Sequence, residues 1–205
     1  MHAHVLALAL VVAGAGRALA AGPQVADESA CPYYSVDIAA FYSCAATFGG
    51  EAALPVAIGE EQVPVARRTV LGLYTDAAGA YRWKTTAGAE VTLVDLRSDD
   101  ELNDRGGPES VDARVAWPRG MQAEAAAEIF VAEFERTGVA LGLHRHSSVL
   151  LICASGRRST LATNALARAG YTRVTNVIDG YEGDEGLGLL GWRRAGLPQF
   201  ASRRP

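Results

Sequence analysis

Residues 149–160 constrain the fold more than any other stretch of this chain. They begin with four consecutive apolar residues, 149–152, which predict a strand buried on both faces. The sequence beyond Ser159 has a helical period, and Ser159 or Thr160 is the expected N-cap. The apolar face of this predicted helix consists of Leu161, Ala162, Ala165, Leu166 and Ala169. Cys153 therefore begins a tight loop between a strand and a helix.

The position of Cys153 favours a reactive thiolate. Backbone N–H groups of the loop and the positive end of the helix dipole are expected to converge on its sulfur. Arg157 and Arg158 add two permanent positive charges. Gly156 fits this interpretation because a loop that wraps its amides around an anion needs a residue without Cβ. The alternative is a buried, inert cysteine at a strand end, with Gly156 as an ordinary turn glycine.

Residues 153–159, Cys-Ala-Ser-Gly-Arg-Arg-Ser, resemble the active-site loop of single-domain rhodaneses, whose usual form is Cys-x-x-Gly-x-Arg-Ser. The similarity continues through residues 164–171, 177–183 and 191–198. Upstream, residues 93–97 are similar to the family's Val-Asp-x-Arg strand. Together these segments cover roughly residues 70–200, and their order and spacing make the resemblance specific.

The resemblance implies an α/β three-layer fold with a mainly parallel central sheet flanked by helices, which the alternation of predicted strands and helices also favours. It implies that Cys153 takes sulfane sulfur from thiosulfate or a similar anionic donor as a persulfide. Cyanide, a thiol or a sulfur-accepting protein would then remove the sulfur. No metal and no organic cofactor are needed for this chemistry.

The resemblance also assigns the site residues. The substrate-binding loop is Ala154, Ser155, Gly156, Arg157, Arg158 and Ser159. Arg158 matches the family arginine and is expected to hold the donor, together with Arg157. Asp95 and Arg97 are expected to support the site through hydrogen bonds and ion pairing rather than to react.

Two other functions remain open. A persulfide carrier or sensor would share the loop but would release sulfur only to a partner protein. A cysteine phosphatase or arsenate reductase would use a Cys-x5-Arg loop, often preceded by His. Here four residues separate Cys153 from Arg158, and Ile152 precedes the cysteine, which favours a sulfane-sulfur substrate. His144 and His146 are interpreted as surface residues, with a metal site or a general base as alternatives.

Residues 1–20 are interpreted as a signal peptide. An apolar run covers residues 5–13, and Ala18-Leu19-Ala20 forms a small-x-small cleavage site before Ala21. The run is short for a membrane span, although a retained anchor is the alternative. The expected destination is a bacterial periplasm, with no membrane association after cleavage.

Residues 21–68 are interpreted as an N-terminal extension and linker. Export to an oxidising compartment favours a Cys31–Cys44 disulfide within it. Either cysteine could instead act as a resolving thiol for Cys153. Two cysteines without further ligands do not complete the coordination that zinc usually takes.

The rhodanese-like domain is predicted to span residues 69–200, followed by a tail at 201–205. Within it, residues 76–83 and 121–136 are predicted helices, and residues 113–117 a strand. Residues 99–112 depart from the family because they lack its Gly-His-Ile-Pro-Gly-Ala-like turn. A net charge of −4 does not favour nucleic acid as a partner.

Overall fold

The computed structural model describes residues 58–203 of the chain. The predicted signal peptide and the predicted Cys31–Cys44 disulfide lie outside these residues. Within the described part, no helix is both long enough and apolar enough to cross a membrane.

Within residues 58–203, seven strands form two sheets. The main sheet has five strands in the order β1-β6-β5-β2-β4, and every pair in it is parallel. A two-stranded antiparallel ribbon, β3 with β7, lies apart from it. The strands are β1 (Tyr74–Thr75), β2 (Val91–Asp95), β3 (Gly107–Pro108), β4 (Ala113–Arg114), β5 (Ser148–Ile152), β6 (Val174–Val177) and β7 (Gln199–Phe200).

Helices cover both faces of the main sheet. They are α1 (Ala77–Ala87), α2 (Asp99–Arg105), α3 (Ala123–Ala140), α4 (Arg157–Arg168) and α5 (Gly191–Arg194). On one face, Leu151 packs in a cluster with Phe130 of α3 and Leu166 of α4. On the other face, Leu150 packs with Trp83 of α1 and Trp192 of α5. This confirms the predicted three-layer α/β fold with a parallel central sheet.

The two central strands position the candidate site. All five residues of β2 and all five of β5 are buried, in keeping with the mainly apolar composition of both segments. Asp95 pairs in register with Ile152, so the carboxyl ends of the two strands are level. Cys153 and residues 96–98 therefore leave the sheet at the same edge, which is where open parallel sheets bind ligands.

Helix starts differ from the predicted ones in ways that side-chain geometry explains. Helix α1 begins one residue after the predicted start because Asp76 is its N-cap, with Oδ1 accepting a hydrogen bond from Gly79 N at 2.6 Å. Helix α2 falls in the segment that departs from the family pattern. It begins with a capping box in which Ser98 and Glu101 each bond the other's backbone N–H.

Residues 58–68, which we call the strap, pack against the domain although the sequence interpretation placed them in the linker. Two short 3-10 turns, Glu60–Gln62 and Val65–Arg67, shape this segment. Val63 packs in a buried cluster with Tyr74 and Ile178. Arg67 is 0% exposed. The packed structure thus begins before the predicted boundary at residue 69.

Candidate active site

Cys153 is the first residue after β5 and is a free, buried thiol. Only 1% of its surface is exposed. Its Sγ lies 3.5 Å from Ser159 Oγ, across the loop that joins β5 to α4. The sulfur and this hydroxyl are therefore within hydrogen-bonding distance, and either atom can donate.

Four consecutive carbonyl oxygens of the loop accept hydrogen bonds from groups outside residues 153–156. The bonds are Tyr181 N to Cys153 O (2.8 Å), Glu182 N to Ala154 O (2.7 Å), Arg67 Nε to Ser155 O (2.9 Å) and Thr160 Oγ1 to Gly156 O (2.7 Å). In a trans peptide the C=O and the next N–H point in opposite directions. Each bond therefore fixes the orientation of one peptide unit. The N–H of the next residue then points away from the group that donates to the carbonyl oxygen.

The backbone N–H groups of residues 154–159 have no acceptor among residues 58–203. They belong to the loop and to the first turn of α4, where helical N–H groups lack intrahelical partners. Such a ring of free donors beside a cysteine can bind an anion. That these N–H groups converge on the Cys153 sulfur remains the prediction made from the sequence.

Two glycines allow the loop to approach its neighbours. Gly156 has φ +81°, and a Cβ at this position would lie 1.9 Å from Ile178 O. Gly180 has φ +64°, and its Cβ would lie 2.6 Å from Cys153 O. Gly156 is also the N-cap of α4, in place of the predicted Ser159 or Thr160. The hydroxyls of those two residues donate to Gly156 O instead.

The two arginines of the loop each pair with a carboxylate. Arg157 is exposed, and its Nη2 lies 3.5 Å from Asp184 Oδ2. Arg158 forms two hydrogen bonds with Glu101, at 2.8 Å and 2.6 Å. Although burial alone would lower it, the pKa of Arg158 is raised by Glu101 and by the Cys153 sulfur.

The same contacts act on Glu101. Burial opposes ionisation of its carboxyl group, but hydrogen bonds from Arg158 and Ser98 outweigh this effect and lower its pKa to about 2. Glu101 is thus a fixed negative charge at the rim of the loop. The predicted donor-binding arginine, Arg158, is oriented by this carboxylate.

Asp95 and Arg97 form a buried ion pair at the end of β2, with Arg97 Nη2 2.6 Å from Asp95 Oδ2. Arg97 Nη1 also donates to Gly106 O at 3.1 Å, and its guanidinium lies 4.0 Å from the centre of the Tyr181 ring. Since Tyr181 N holds the Cys153 carbonyl, the pair reaches the loop through Tyr181. These contacts fit support of the loop rather than a reacting role.

A cleft of about 430 Å³ opens beside Ala154. Its other lining residues are all charged: Arg97, Glu101, Asp104, Arg105, Arg119 and Glu182. Three positive and three negative side chains, with no large apolar surface, suit a small polar molecule better than an aromatic or lipid one.

No group of three or more His, Cys, Asp or Glu residues that could hold a metal ion occurs in residues 58–203. His144 and His146 precede β5, whereas Cys153 follows it, so the strand separates them from the sulfur. His146 Nδ1 is 3.0 Å from Thr172 Oγ1.

Sequence reasoning missed several residues that contact the loop, among them Arg67, Glu101, Tyr181, Glu182 and Asp184. The helix start marked by Glu101 could have been found, because Ser98-x-x-Glu101 is a capping-box pattern, but the contact of Glu101 with Arg158 could not. Arg67 gives no such signal, since it lies in a segment without a clear period.

Comparisons with known proteins found sequence and structural similarities. The family model of the rhodanese-like domain matches residues 80–185. An uncharacterized protein from Rickettsia conorii is 36% identical over 53 residues, which cover 26% of this chain and 42% of that protein. The chain thus spans less than half the length of this curated relative.

Two solved structures are also similar. The protein Rv0390 from M. tuberculosis is 28% identical, with a TM-score of 0.48, covering 62% of this chain and 96% of the other. The polysulfide-sulfur transferase homodimer from Wolinella succinogenes is 23% identical, with a TM-score of 0.41, covering 62% of this chain and 77% of the other.

Proposed function

Because the chain belongs to the rhodanese-like domain family, we propose that it moves sulfane sulfur from thiosulfate or a similar anionic donor to a thiophilic acceptor through a persulfide on Cys153. One observation carries the proposal. The four loop carbonyls are bonded outward, and the N–H groups of residues 154–159, next to a buried cysteine, have no acceptors in the part of the chain that the structure describes.

The first half-reaction loads the enzyme. The Cys153 thiolate attacks the outer sulfur of thiosulfate, the sulfur–sulfur bond of the donor breaks, and sulfite leaves with the bonding electron pair. Charge moves from the thiolate to the departing sulfite and to the persulfide sulfur. Free backbone N–H groups at fixed positions stabilise such charge without reorganisation.

The second half-reaction unloads it. Cyanide or a thiolate attacks the outer sulfur of the persulfide, the Cys153 Sγ–S bond breaks, and the Cys153 thiolate is regenerated. Cyanide gives thiocyanate, and a thiol gives a new persulfide. The Ser159 hydroxyl lies 3.5 Å from Sγ and can turn its one proton from Gly156 O to the sulfur in each state in which the sulfur carries negative charge.

Donor binding draws on the charged cleft. Arg158 is fixed by Glu101, and Arg157 reaches Asp184, so the loop amides rather than two free guanidinium groups provide the main anion site. Arg105 and Arg119 at the cleft bring further positive charge to the approach of a small anion.

The test is a thiosulfate-to-cyanide assay on the full chain, read as thiocyanate formed. The wild type is expected to turn over, and Cys153→Ser is expected to lose all activity above the uncatalysed reaction. Circular dichroism of the variant checks that its fold is unchanged. A folded wild type with no thiocyanate, or a fully active Cys153→Ser, would contradict the proposal.

A persulfide carrier is the second candidate, and one observation favours it. Cys153 is only 1% exposed, which restricts access of bulky acceptors in this conformation. A carrier loads with sulfur from thiosulfate but releases it to cyanide at far less than enzymatic rates. Single-turnover loading followed by cyanide chase separates the two functions.

The proposal also includes export. Residues 1–20 carry an apolar run and a small-x-small site, which support cleavage before Ala21 and a periplasmic location. N-terminal sequencing of the protein recovered from a bacterial periplasm tests this. A first residue of Ala21 is the expected result, and an intact N-terminus in the membrane fraction would favour the retained anchor.

A further inference from the structure

Arg67 of the strap lies outside the family-matched residues, yet its side chain reaches the candidate active site. The residue is 0% exposed. Its Nε donates to Ser155 O at 2.9 Å, and its Nη2 pairs with Asp184 Oδ2 at 2.8 Å. A buried arginine needs such partners, because desolvating an unpaired guanidinium is costly.

The bond to Ser155 O fixes one peptide of the loop. With the Ser155 carbonyl turned toward Arg67, the Gly156 N–H points to the opposite side. The carbonyls of Cys153 and Ala154 are held by backbone N–H groups. Ser155 O is held by a charged side chain, so this peptide depends on a residue 88 positions away in the chain.

Arg67 is itself fixed at both ends. Its carbonyl oxygen accepts a hydrogen bond from Asn176 Nδ2 at 3.1 Å, which ties the strap to β6, and lies 3.5 Å from Thr160 Oγ1 of α4. The side chain also packs closely on Gly156, since a Cβ added to this glycine would lie only 3.0 Å from Arg67 Nε. The side chain therefore has little freedom to leave the loop.

Arg67 also brings a positive charge close to the loop. Burial lowers the pKa of Arg67, while Asp184 and the Cys153 sulfur oppose the shift, and a guanidinium remains protonated in proteins. Asp184 is shared between Arg67 and Arg157, whose Nη2 lies 3.5 Å away. Two guanidinium groups on one carboxylate leave net positive charge beside the loop.

We propose that Arg67 is a positioning residue for sulfur transfer, which turns the Gly156 N–H toward the sulfur of Cys153 and places a buried positive charge that stabilises the thiolate and the persulfide. The role rests on the proposed function, but its electrostatic part is measurable without any sulfur donor. It gives the strap a function in the site as well as in the fold.

The experiment measures the rate of Cys153 alkylation by iodoacetamide as a function of pH in the full chain. Mass spectrometry of the tryptic peptide of residues 146–157 isolates Cys153 from the other cysteines. Arg67→Met is expected to move the half-maximal pH upward and to slow alkylation at pH 7 about tenfold, because a nearby positive charge that favours the thiolate is lost. Arg67→Lys keeps the charge and is expected to recover part of the rate.

Arg68→Met is the matched control. Arg68 neighbours Arg67, but its Nε bonds Val63 O within the strap and its side chain is 38% exposed. Its pH profile is expected to equal that of the wild type. An unshifted profile in Arg67→Met, or an equal shift in Arg68→Met, would overturn the proposal.

Asp184→Asn keeps the test decisive if Arg67→Met does not fold. Removing this carboxylate leaves the positive charge of Arg67 less neutralised, so the half-maximal pH is expected to move downward. A purely structural role predicts that the loop loosens in both variants, without opposite shifts. An upward shift in Asp184→Asn would overturn the electrostatic role.

Discussion

The active-site loop has two sides that are built differently. On the carbonyl side, the backbone packs against buried groups: Tyr181 N, Glu182 N, Arg67 and the close neighbours of Gly156 and Gly180. On the cleft side, partly exposed charged residues pair with one another, as Arg158 does with Glu101. Packed backbone tolerates little change, whereas solvent-screened charges adjust. The geometry of the loop amides thus depends on the carbonyl side, and the recognition of the donor depends on the cleft side.

The largest effect is expected where the carbonyl side is tightest. Gly156→Ala forces a side chain into φ +81° and against Ile178 O. We expect a loss of about 3 kcal/mol or more in the free energy of unfolding. Sulfur transfer should fall on the order of 100-fold as loop amides move. Urea denaturation measures the loss of stability, and the thiocyanate assay measures the loss of sulfur transfer.

Gly72→Ala is the control for this substitution. Gly72 also has a positive φ, +62°, but a Cβ there would meet nothing within 4 Å. It should cost only about 1 kcal/mol, from backbone strain alone, and leave transfer unchanged. If Gly72→Ala lost as much stability and sulfur transfer as Gly156→Ala, the effect at Gly156 could not be assigned to its close packing.

On the carbonyl side, the carboxyl group of Asp179 is expected to make the free energy of unfolding depend on pH. Its carboxylate accepts from Ala77 N (2.9 Å) and Gly191 N (3.0 Å), and burial raises its pKa from 3.8 to about 6. Because the folded pKa is the higher one, the stabilisation is complete below pH 3.8 and is lost as the pH rises through about 6. Relative to Asp179→Asn, the wild type should lose about 2 to 3 kcal/mol between pH 4 and pH 7.

Urea denaturation across that pH range checks the prediction for Asp179. The readout is the difference in unfolding free energy between wild type and variant at each pH, which cancels the titration of all other groups. Parallel curves would show that the Asp179 carboxyl does not titrate differently in the folded chain.

On the cleft side, Glu101→Gln should have a smaller effect of opposite pH sign. The pKa of Glu101 is lowered from 4.5 to about 2, so its stabilisation is present above pH 4.5 and is lost as the pH falls through about 2. Solvent screening of this partly exposed pair reduces the cost of the variant to about 1 kcal/mol at pH 7. Thermal unfolding at low and high salt measures it, and a loss unaffected by either salt or acid would contradict an ionic origin.

The smallest effects are expected at the mouth of the cleft. The side chains of Arg105 and Arg119 are 57% and 68% exposed. Arg105→Gln and Arg119→Gln should each raise KM for thiosulfate about two- to threefold at low salt, with kcat unchanged, because they only steer the anion. Steady-state kinetics at two ionic strengths check this. A fall in kcat would place either arginine closer to the reacting atoms.

The sequence predicts those parts of the molecule that depend on residues close together in the chain. Apolar runs and helical periods indicate β2, β5 and α4 because those patterns are local. The Cys153 loop is readable because its residues are contiguous. Helix α2 was missed, although Ser98 and Glu101 form a recognisable capping box.

Contacts between distant residues are the part that the sequence does not reveal. Arg158 meets Glu101 across 57 positions, and Arg67 meets Ser155 across 88. Neither pairing follows from spacing or periodicity, since only the packed fold brings the residues together. The expectation that Arg157 and Arg158 hold the donor rests on the family resemblance of the loop, which gives no sign of the carboxylates that pair with them.

The most direct test of the central claim is where the sulfur resides after the donor reacts. The full chain is treated with thiosulfate, alkylated, digested under non-reducing conditions and analysed by mass spectrometry. We predict one added sulfur atom on the peptide of residues 146–157, which carries Cys153, and its removal by cyanide. Sulfur on a peptide with Cys31 or Cys44, or none on a folded chain, would contradict the assignment of Cys153 as the residue that carries it.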